Sequence, residues 1–418
     1  MLVEKNVLSL EKTMKANKPK CILLVALVIL LISSTDIRAG VALQNGNFFM
    51  SYVDVNYSGG FEPQLERVYN SKSAFKGIFG WGWGNEYDVY LTVAPDGSVN
   101  VHEYGGGALN IFTVGNVTNE ALDSILASII RAAKENGALK TNDEEATYRD
   151  QLRANVILRN NEWDRYVKLQ LLPTRDVPIG AVLRSNKFSA QTIKRVRDGF
   201  VRLFDNGRRE QYDNRGRLAR AFDRKGNYVN LSYDDDGYLR SIIDNLGRKM
   251  VFTLNDRGLV EKIDGEKGKT AEYRYNDLDQ LIYSKDVDNN IYQYTYDVRH
   301  NLTRIDYNDK TSLEVTYLSI EMKENVASLK DRDGTTTYYR YSYPLGPKDD
   351  LRMIIEVEVR GAGAASKIVS RNTYEYFFRR DDDGAVWTYK LTQTVDGDTS
   401  ETEYNRDGTK IDIHRRKN

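Results

Sequence analysis

The stretch Tyr212-Asp213-Asn214-Arg215-Gly216-Arg217-Leu218, followed by Asp223-Arg224-Lys225-Gly226, decides the fold because its pattern returns every 21 residues. The anchor column reads Tyr212, Tyr233, Leu254, Tyr275, Tyr296 and Tyr317. Turn-forming Asp and Asn follow the first three anchors and lead to Gly216, Gly237 and Gly258. Six residues after each of the first five anchors stands an aliphatic residue: Leu218, Leu239, Val260, Leu281 and Leu302. A second turn column holds Asp223 and Asp244, with Gly226, Gly247 and Gly268. So many coincident columns mark a true repeat, whose units bury their apolar faces only by stacking on their neighbours.

Reading back from each anchor in steps of two gives the rows Val229/Leu231/Tyr233, Met250/Phe252/Leu254, Ala271/Tyr273/Tyr275, Tyr292/Tyr294/Tyr296 and Leu313/Val315/Tyr317. The positions between them are mostly polar, as in Asn230, Ser232, Lys249, Thr253, Glu272, Arg274, Gln293 and Thr295. Alternation with period two predicts a strand with one buried face. Two Gly/Asp/Asn turns per period make each unit a hairpin. A lone hairpin is marginal in water, and a fully buried apolar side chain contributes only about 1.5–3 kcal/mol. Several rows must therefore stack before burial outweighs the entropy of ordering the chain.

The pattern Tyr-Asp-x-x-Gly-Arg-Leu at 212–218, with Asp-x-x-Gly at 223–226, resembles the YD repeat of bacterial Rhs proteins, insecticidal toxin-complex shell proteins and animal teneurins. The runs Leu43-Gln44-Asn45-Gly46-Asn47-Phe48-Phe49, Arg67-Val68-Tyr69-Asn70-Ser71 and Phe79-Gly80-Trp81-Gly82-Trp83 are similar to the segment that opens Rhs proteins ahead of their repeats. The resemblance spans roughly 41–115 and 195–317, and 330–410 more loosely. It implies an all-β fold of stacked YD hairpins in a spiral, curved sheet that can form a shell around a cargo. Rhs proteins carry more repeats and end their core at an Asp-Pro-x-Gly motif, where a C-terminal toxin is released by self-cleavage. This sequence has no Asp-Pro dipeptide, so that aspartate activity is not carried over. With about five clear units, a closed cocoon is not expected, since its open end would expose a strand edge.

Composition agrees with half-solvated sheet: 418 residues include 28 Tyr, 31 Gly and only 7 Pro. Lys+Arg and Asp+Glu both total 60, which removes the electrostatic pull toward nucleic acid. Lys12, Lys15, Lys18 and Lys20 precede the apolar run from Cys21 to Ile32, and small and polar residues follow to Ala39 and Gly40. That order predicts a secretory signal peptide over 1–39, with Met14 as an alternative start. Twelve apolar residues fall short of the roughly 20 that span a bilayer. No stable transmembrane span is expected after cleavage. Cys21 is the only cysteine, so a chain cleaved near Ala39 has no disulfide, thiolate nucleophile or cysteine metal site.

Four further segments are expected beyond the signal peptide: an Rhs-type β segment over 40–115, a helical insertion and return over 116–175, the 21-residue repeats over 176–317, and degenerate repeats over 318–418. Within the insertion, Thr118 caps a helix over about 119–134, with Ala121, Ile125, Leu126, Ile129 and Ile130 on one face and Gly137 as its stop. A second short helix starts after Thr141-Asn142, and the fold class thus includes a small helical insertion near 118–155. The apolar stripe is expected to pack on the sheet. The repeat phase breaks near 319–329, and β signals resume at 335–343, 353–360, 373–379 and 386–394. Turns at 331–334, 381–384 and 406–408 keep the hairpin style, and Gly361-Ala362-Gly363-Ala364-Ala365 reads as a loop.

Candidate chemistry is sparse. Gly268-Lys269-Thr270 lacks the upstream glycine of a phosphate loop, because Ile263 stands there, and Gly268 belongs to the turn column. Asp286, Asp288, Asn289 and Asn290, like Asp234, Asp235 and Asp236, suit turns better than calcium; Ile291 stands where the calcium loop needs glycine. His102, His300 and His414 are widely separated and form no triad in sequence. The tyrosine rows and Gly80-Trp81-Gly82-Trp83-Gly84 read as packing motifs. We therefore expect no enzyme, no cofactor and no metal. The residues that matter are the structural anchors Tyr212, Tyr233, Leu254, Tyr275, Tyr296, Tyr317, Gly216, Gly237 and Gly258. The expected role is an exported scaffold or shell that encloses or docks a protein cargo, such as a separately encoded toxin or a complementary Rhs chain. The alternatives are a cell-surface adhesion module binding glycans and a truncated remnant of a longer Rhs gene.

Overall fold

The alternating rows form strands and the Gly/Asp/Asn clusters form the turns between them. In the computed structural model, described residues run from 38 to 416, apart from 106, 114–118, 174–175, 186–190, 321–322, 345–350, 364–365, 381–385, 407 and 409. All of them lie in one unit, Ile37–Asn418. The expected signal peptide, apart from Arg38 and Ala39, the Thr118 cap and the 381–384 turn lie outside the described residues.

Among the described residues the main sheet has twenty-four strands. It starts with Tyr90–Val93, Val99–Glu103 and Ala108–Thr113, crosses to Val182–Ser185, and then meanders strand by strand to Lys410–Arg416. One repeat unit is Tyr228–Tyr233 paired antiparallel with Leu239–Asp244, and the next is Lys249–Leu254 with Val260–Asp264. The register shifts by a bulge at each anchor, so Tyr233 faces Leu239, Leu254 faces Val260 and Tyr275 faces Leu281. The aliphatic column Leu218, Leu239, Val260, Leu281 and Leu302 is buried, as are Val229, Leu231, Met250, Phe252, Tyr292 and Tyr294. Long hairpins replace the 21-residue period beyond Tyr317: Ser312–Ile320 pairs with Lys323–Lys330, and Leu351–Arg360 with Ile368–Arg380.

The sheet curls at its N-terminal end. Tyr90 bridges to Arg217, and the Leu91 N–H donates to the Gly216 carbonyl at 2.7 Å. Gly216 has φ 78°, and a Cβ there would run into the Leu91 carbonyl oxygen, so this contact needs glycine for space as well as conformation. Among the described residues no ladder joins Tyr90–Val93 to Lys410–Arg416, and the sheet is not closed end to end.

A second, four-stranded sheet is built from Arg38–Ala42, Asn47–Asn56, Gln64–Asn70 and Trp83–Asn85. The expected mature start at Gly40 falls within the first of these strands. Phe48, Met50, Tyr52, Leu65, Tyr69 and Trp83 pack with the repeat rows in one continuous core. The repeats are thus one layer of a sandwich whose other layer is the chain's own N-terminal segment.

Among the described residues the insertion contains three helices, α1 (Asn119–Glu135), α2 (Asn142–Ala154) and α3 (Val156–Lys168). Gly137, at φ 73°, ends α1. Thr141 caps α2 in a capping box with Glu144. The apolar stripe does not pack on the sheet as expected. Ile125, Leu126, Ile129 and Ile130 form a separate core with Leu152, Trp163 and Tyr166. The reason is α3, a third helix that lies within the expected 116–175 segment but past the stretch near 118–155 where helix was expected. It supplies Trp163 and Tyr166 as nearer partners than the strands.

Candidate functional site

The two layers meet around one buried charge. Arg67 sits on the second layer, where the strand Gln64–Asn70 alternates buried and half-buried residues. Its Nε donates to Asp54 Oδ2 at 2.8 Å, and its Nη2 to Asp54 Oδ1 at 3.2 Å. The same Nη2 reaches Ser284 Oγ at 2.9 Å and Tyr294 Oη at 3.2 Å on the main sheet. Tyr273 donates its hydroxyl to Asp54 Oδ2 at 2.8 Å, and the guanidinium carbon lies 4.3 Å from the centre of the Trp83 ring. Burial alone would lower the Arg67 pKa, but the facing Asp54 carboxylate more than offsets it and holds the guanidinium above its ordinary value. Burial, then the Asp54 charge, keeps Tyr273 well above a normal phenol; Tyr294 is pushed up to about 12, chiefly by burial. Arg67 therefore stays charged, and Tyr273 and Tyr294 stay protonated, through the neutral range. The centre is a latch that ties the two layers together.

Ser284 marks this latch in the repeat itself. Its column reads Ala221, Ile242, Ile263, Ser284 and Ile305, all buried, and the single hydroxyl stands where Arg67 arrives. That substitution was the sequence signal for the centre. Arg67 and Asp54 carried none, because their partners lie 217 and 219 residues away.

The anchors form a hydrogen-bonded column. Tyr233 Oη donates to the Leu218 carbonyl at 2.8 Å, while Tyr275, Tyr296 and Tyr317 reach Val260, Leu281 and Leu302 at 2.9 Å each. Each bond spans 15 residues, from an anchor to the carbonyl of the preceding unit's aliphatic residue. Leu254 occupies the same column without a hydroxyl. Tyr212 differs, donating to buried Glu210, which also pairs with Arg202. Gly216, Gly237 and Gly258 hold the left-handed turn position at φ 78°, 94° and 76°. Asp and Asn work as turn residues throughout: Asp286 Oδ1 accepts the N–H groups of Asp288 and Asn290 at 2.9 Å each. The histidines stay apart: His102 stacks on Tyr90, His300 contacts Gln280, and His414 pairs with Asp412.

Beyond the latch the cover ends before the sheet does. Tyr374, Tyr376 and Phe378 continue the core face but are only half-buried. Ile368–Arg380 and Val386–Val395 carry no fully buried residue along their lengths. The final strand, Lys410–Arg416, presents Ile411 and Ile413 at 65 % and 51 % exposure. Among the described residues nothing pairs with its outer edge. A half-covered apolar face that continues a filled core and ends in an unpaired edge can accept a further β layer or strand.

Comparison with known proteins adds the following. The family described as "Domain of unknown function (DUF6531)" matches residues 39–110, which include the opening motifs and all of the second layer but Arg38. No curated protein matches the sequence. Among solved structures, the TcdB2-TccC3-TEV crystal structure aligns over 90% of this chain and 23% of its own, at 11% identity and TM-score 0.28. TcdB2-TccC3 without its hypervariable C-terminal region aligns over 99% and 23%, at 11% identity and TM-score 0.27. The Tc holotoxin pore of Photorhabdus luminescens aligns over 89% and 22%, at 10% identity and TM-score 0.27. The chain thus spans about a quarter of these proteins. No helix among the described residues is long and apolar enough to cross a membrane, which leaves β-barrel spans untouched.

Proposed function

We propose that the chain is an exported, non-enzymatic YD-repeat scaffold whose C-terminal sheet, residues 351–416, docks a protein partner. The partner is a β-rich chain, such as a further repeat segment or a toxin encoded separately. The single observation that carries this reading is the mismatch between layers. The second layer fills the face of the repeats, yet the same face continues half-covered through Tyr374, Tyr376 and Phe378 to an edge strand bearing exposed Ile411 and Ile413. The charge-before-apolar order of residues 12–40 supports export.

The test is a native pull-down of tagged chain from envelope and culture medium, with intact-mass analysis and cross-linking. We expect a stoichiometric partner cross-linked within 351–416, and capture lost in an Ile411→Lys/Ile413→Lys variant. A lone, intact chain, or a partner held equally well by that variant, overturns the reading.

A further inference from the structure

The Gly-Trp-Gly-Trp motif does not act as one packing unit. Trp83 is fully buried beside Arg67, whereas Trp81 is 41 % exposed. Trp81 lies on the small hairpin of Lys76–Gly77 and Gly80–Trp81. Its N–H donates to the Asp279 carbonyl at 3.3 Å, which fixes the hairpin against the repeat turns. Beside the indole opens a cavity of about 520 Å³, lined also by Leu278, Arg299, His300, Asn301 and Glu324. That volume lies within the range of small-molecule sites.

The repeat changes its chemistry at this cavity. The turn column that holds Gly216, Gly237 and Gly258 continues as Asp279 and His300, both in the left-handed region at φ 60° and 71°. Asp and His are among the side chains that tolerate such angles, so the turn keeps its shape while gaining a functional group. Asp279 secures the hairpin through Lys76 and binds Arg257, while His300 faces the cavity. The Gln280 amide is oriented by Asn276, whose Nδ2 donates to Gln280 Oε1 at 2.7 Å. With the Gln280 amide so placed, its Nε2 donates to His300 Nδ1 at 3.0 Å, which makes Nε2 the ring nitrogen that can donate to a ligand. Arg299 spends one nitrogen on Glu324 at 3.4 Å. Asn301 spends its amide nitrogen on Asp297 and Glu324, which leaves its carbonyl oxygen as an acceptor.

Donors and acceptors thus both line the cavity beside an exposed indole. An anion would meet Glu324, and a cation would meet Arg299. Hydroxyl groups, which both donate and accept, match the set, and the C–H face of a sugar ring matches the indole and Leu278. We propose that Trp81, His300, Arg299 and Asn301 form a binding cleft for a neutral saccharide. Trp81 supplies the platform and the 297–301 turn reads the hydroxyls.

The experiment applies the full exported chain to an array of neutral oligosaccharides of glucose, galactose and N-acetylglucosamine. Hits are titrated by calorimetry with the wild type, Trp81→Ala and Arg299→Ala. Both side chains are exposed enough for the variants to fold, which circular dichroism checks. We expect binding of at least one neutral saccharide, weakened about tenfold or more by each variant and largely kept by Trp81→Phe. Absence of binding on the array by folded wild-type chain overturns the proposal. So does binding that both variants leave unchanged.

Discussion

At the residue scale, the anchor hydroxyl explains why tyrosine, and not phenylalanine, recurs. It bonds the carbonyl of the preceding unit, beside the bulge that interrupts each ladder. Tyr275→Phe should destabilise the protein by about 1–3 kcal/mol, because it leaves the Val260 carbonyl unsatisfied. At Leu254, which has no hydroxyl to lose, the Phe variant should lack this penalty; urea unfolding of the pair checks the difference. The latch is a steeper case. Arg67→Met should cost about 3–5 kcal/mol by leaving Asp54 buried and unpaired, and adding Asp54→Leu should recover much of that loss. A double variant no more stable than Arg67→Met alone would contradict this. Asp88 carries a pH signature. Burial pushes its carboxyl from 3.8 up to about 7, partly offset by the Asn85 N–H. A raised carboxyl favours the folded state when protonated, so this stability is full below about pH 4 and is lost as pH rises through 7. Melting curves should show Asp88→Asn gaining on the wild type from pH 4 to pH 8. A constant difference across that range would show that Asp88 does not titrate as described.

At the element scale, the repeat was legible because one strand face and one turn column are both periodic in sequence. The rows Met250/Phe252 and Tyr292/Tyr294 state which side is buried. What covers that side is not periodic: the second layer comes from residues 38–85, and its contacts span about 200 residues or more. Within the repeats its only mark in this column is Ser284, a hydroxyl among aliphatic residues, which the anchor and turn columns do not bring out. The helices teach the same lesson in reverse. The stripe Ile125/Leu126/Ile129/Ile130 announces an amphipathic helix but not its partner, and α3 supplied one before the sheet could. The insertion should accordingly be separable. Ala108–Thr113 and Val182–Ser185 pair directly across it, Thr113 opposite Arg184. Replacing residues 119–172 by a short Gly/Ser linker should remove the helical circular-dichroism signal and leave the melting transition of the sheet within a few degrees. Loss of that transition would show that the helices hold the sheet together.

At the scale of the whole molecule, two sheets of unequal length share one core. The longer continues past its cover through Ile368–Arg380 and Val386–Val395 to Lys410–Arg416. The hairpin style of this end was legible from its turns, but not its half-covered state, which depends on where the second layer stops. An apolar face and strand edge left in this state invite association. The most direct measurement is cross-linking mass spectrometry on the tagged chain recovered natively from the medium and envelope. A scaffold predicts one partner at fixed stoichiometry, with its cross-links concentrated in residues 351–416. A chain recovered alone, or a partner cross-linked only to the N-terminal layer or the helices, would contradict it.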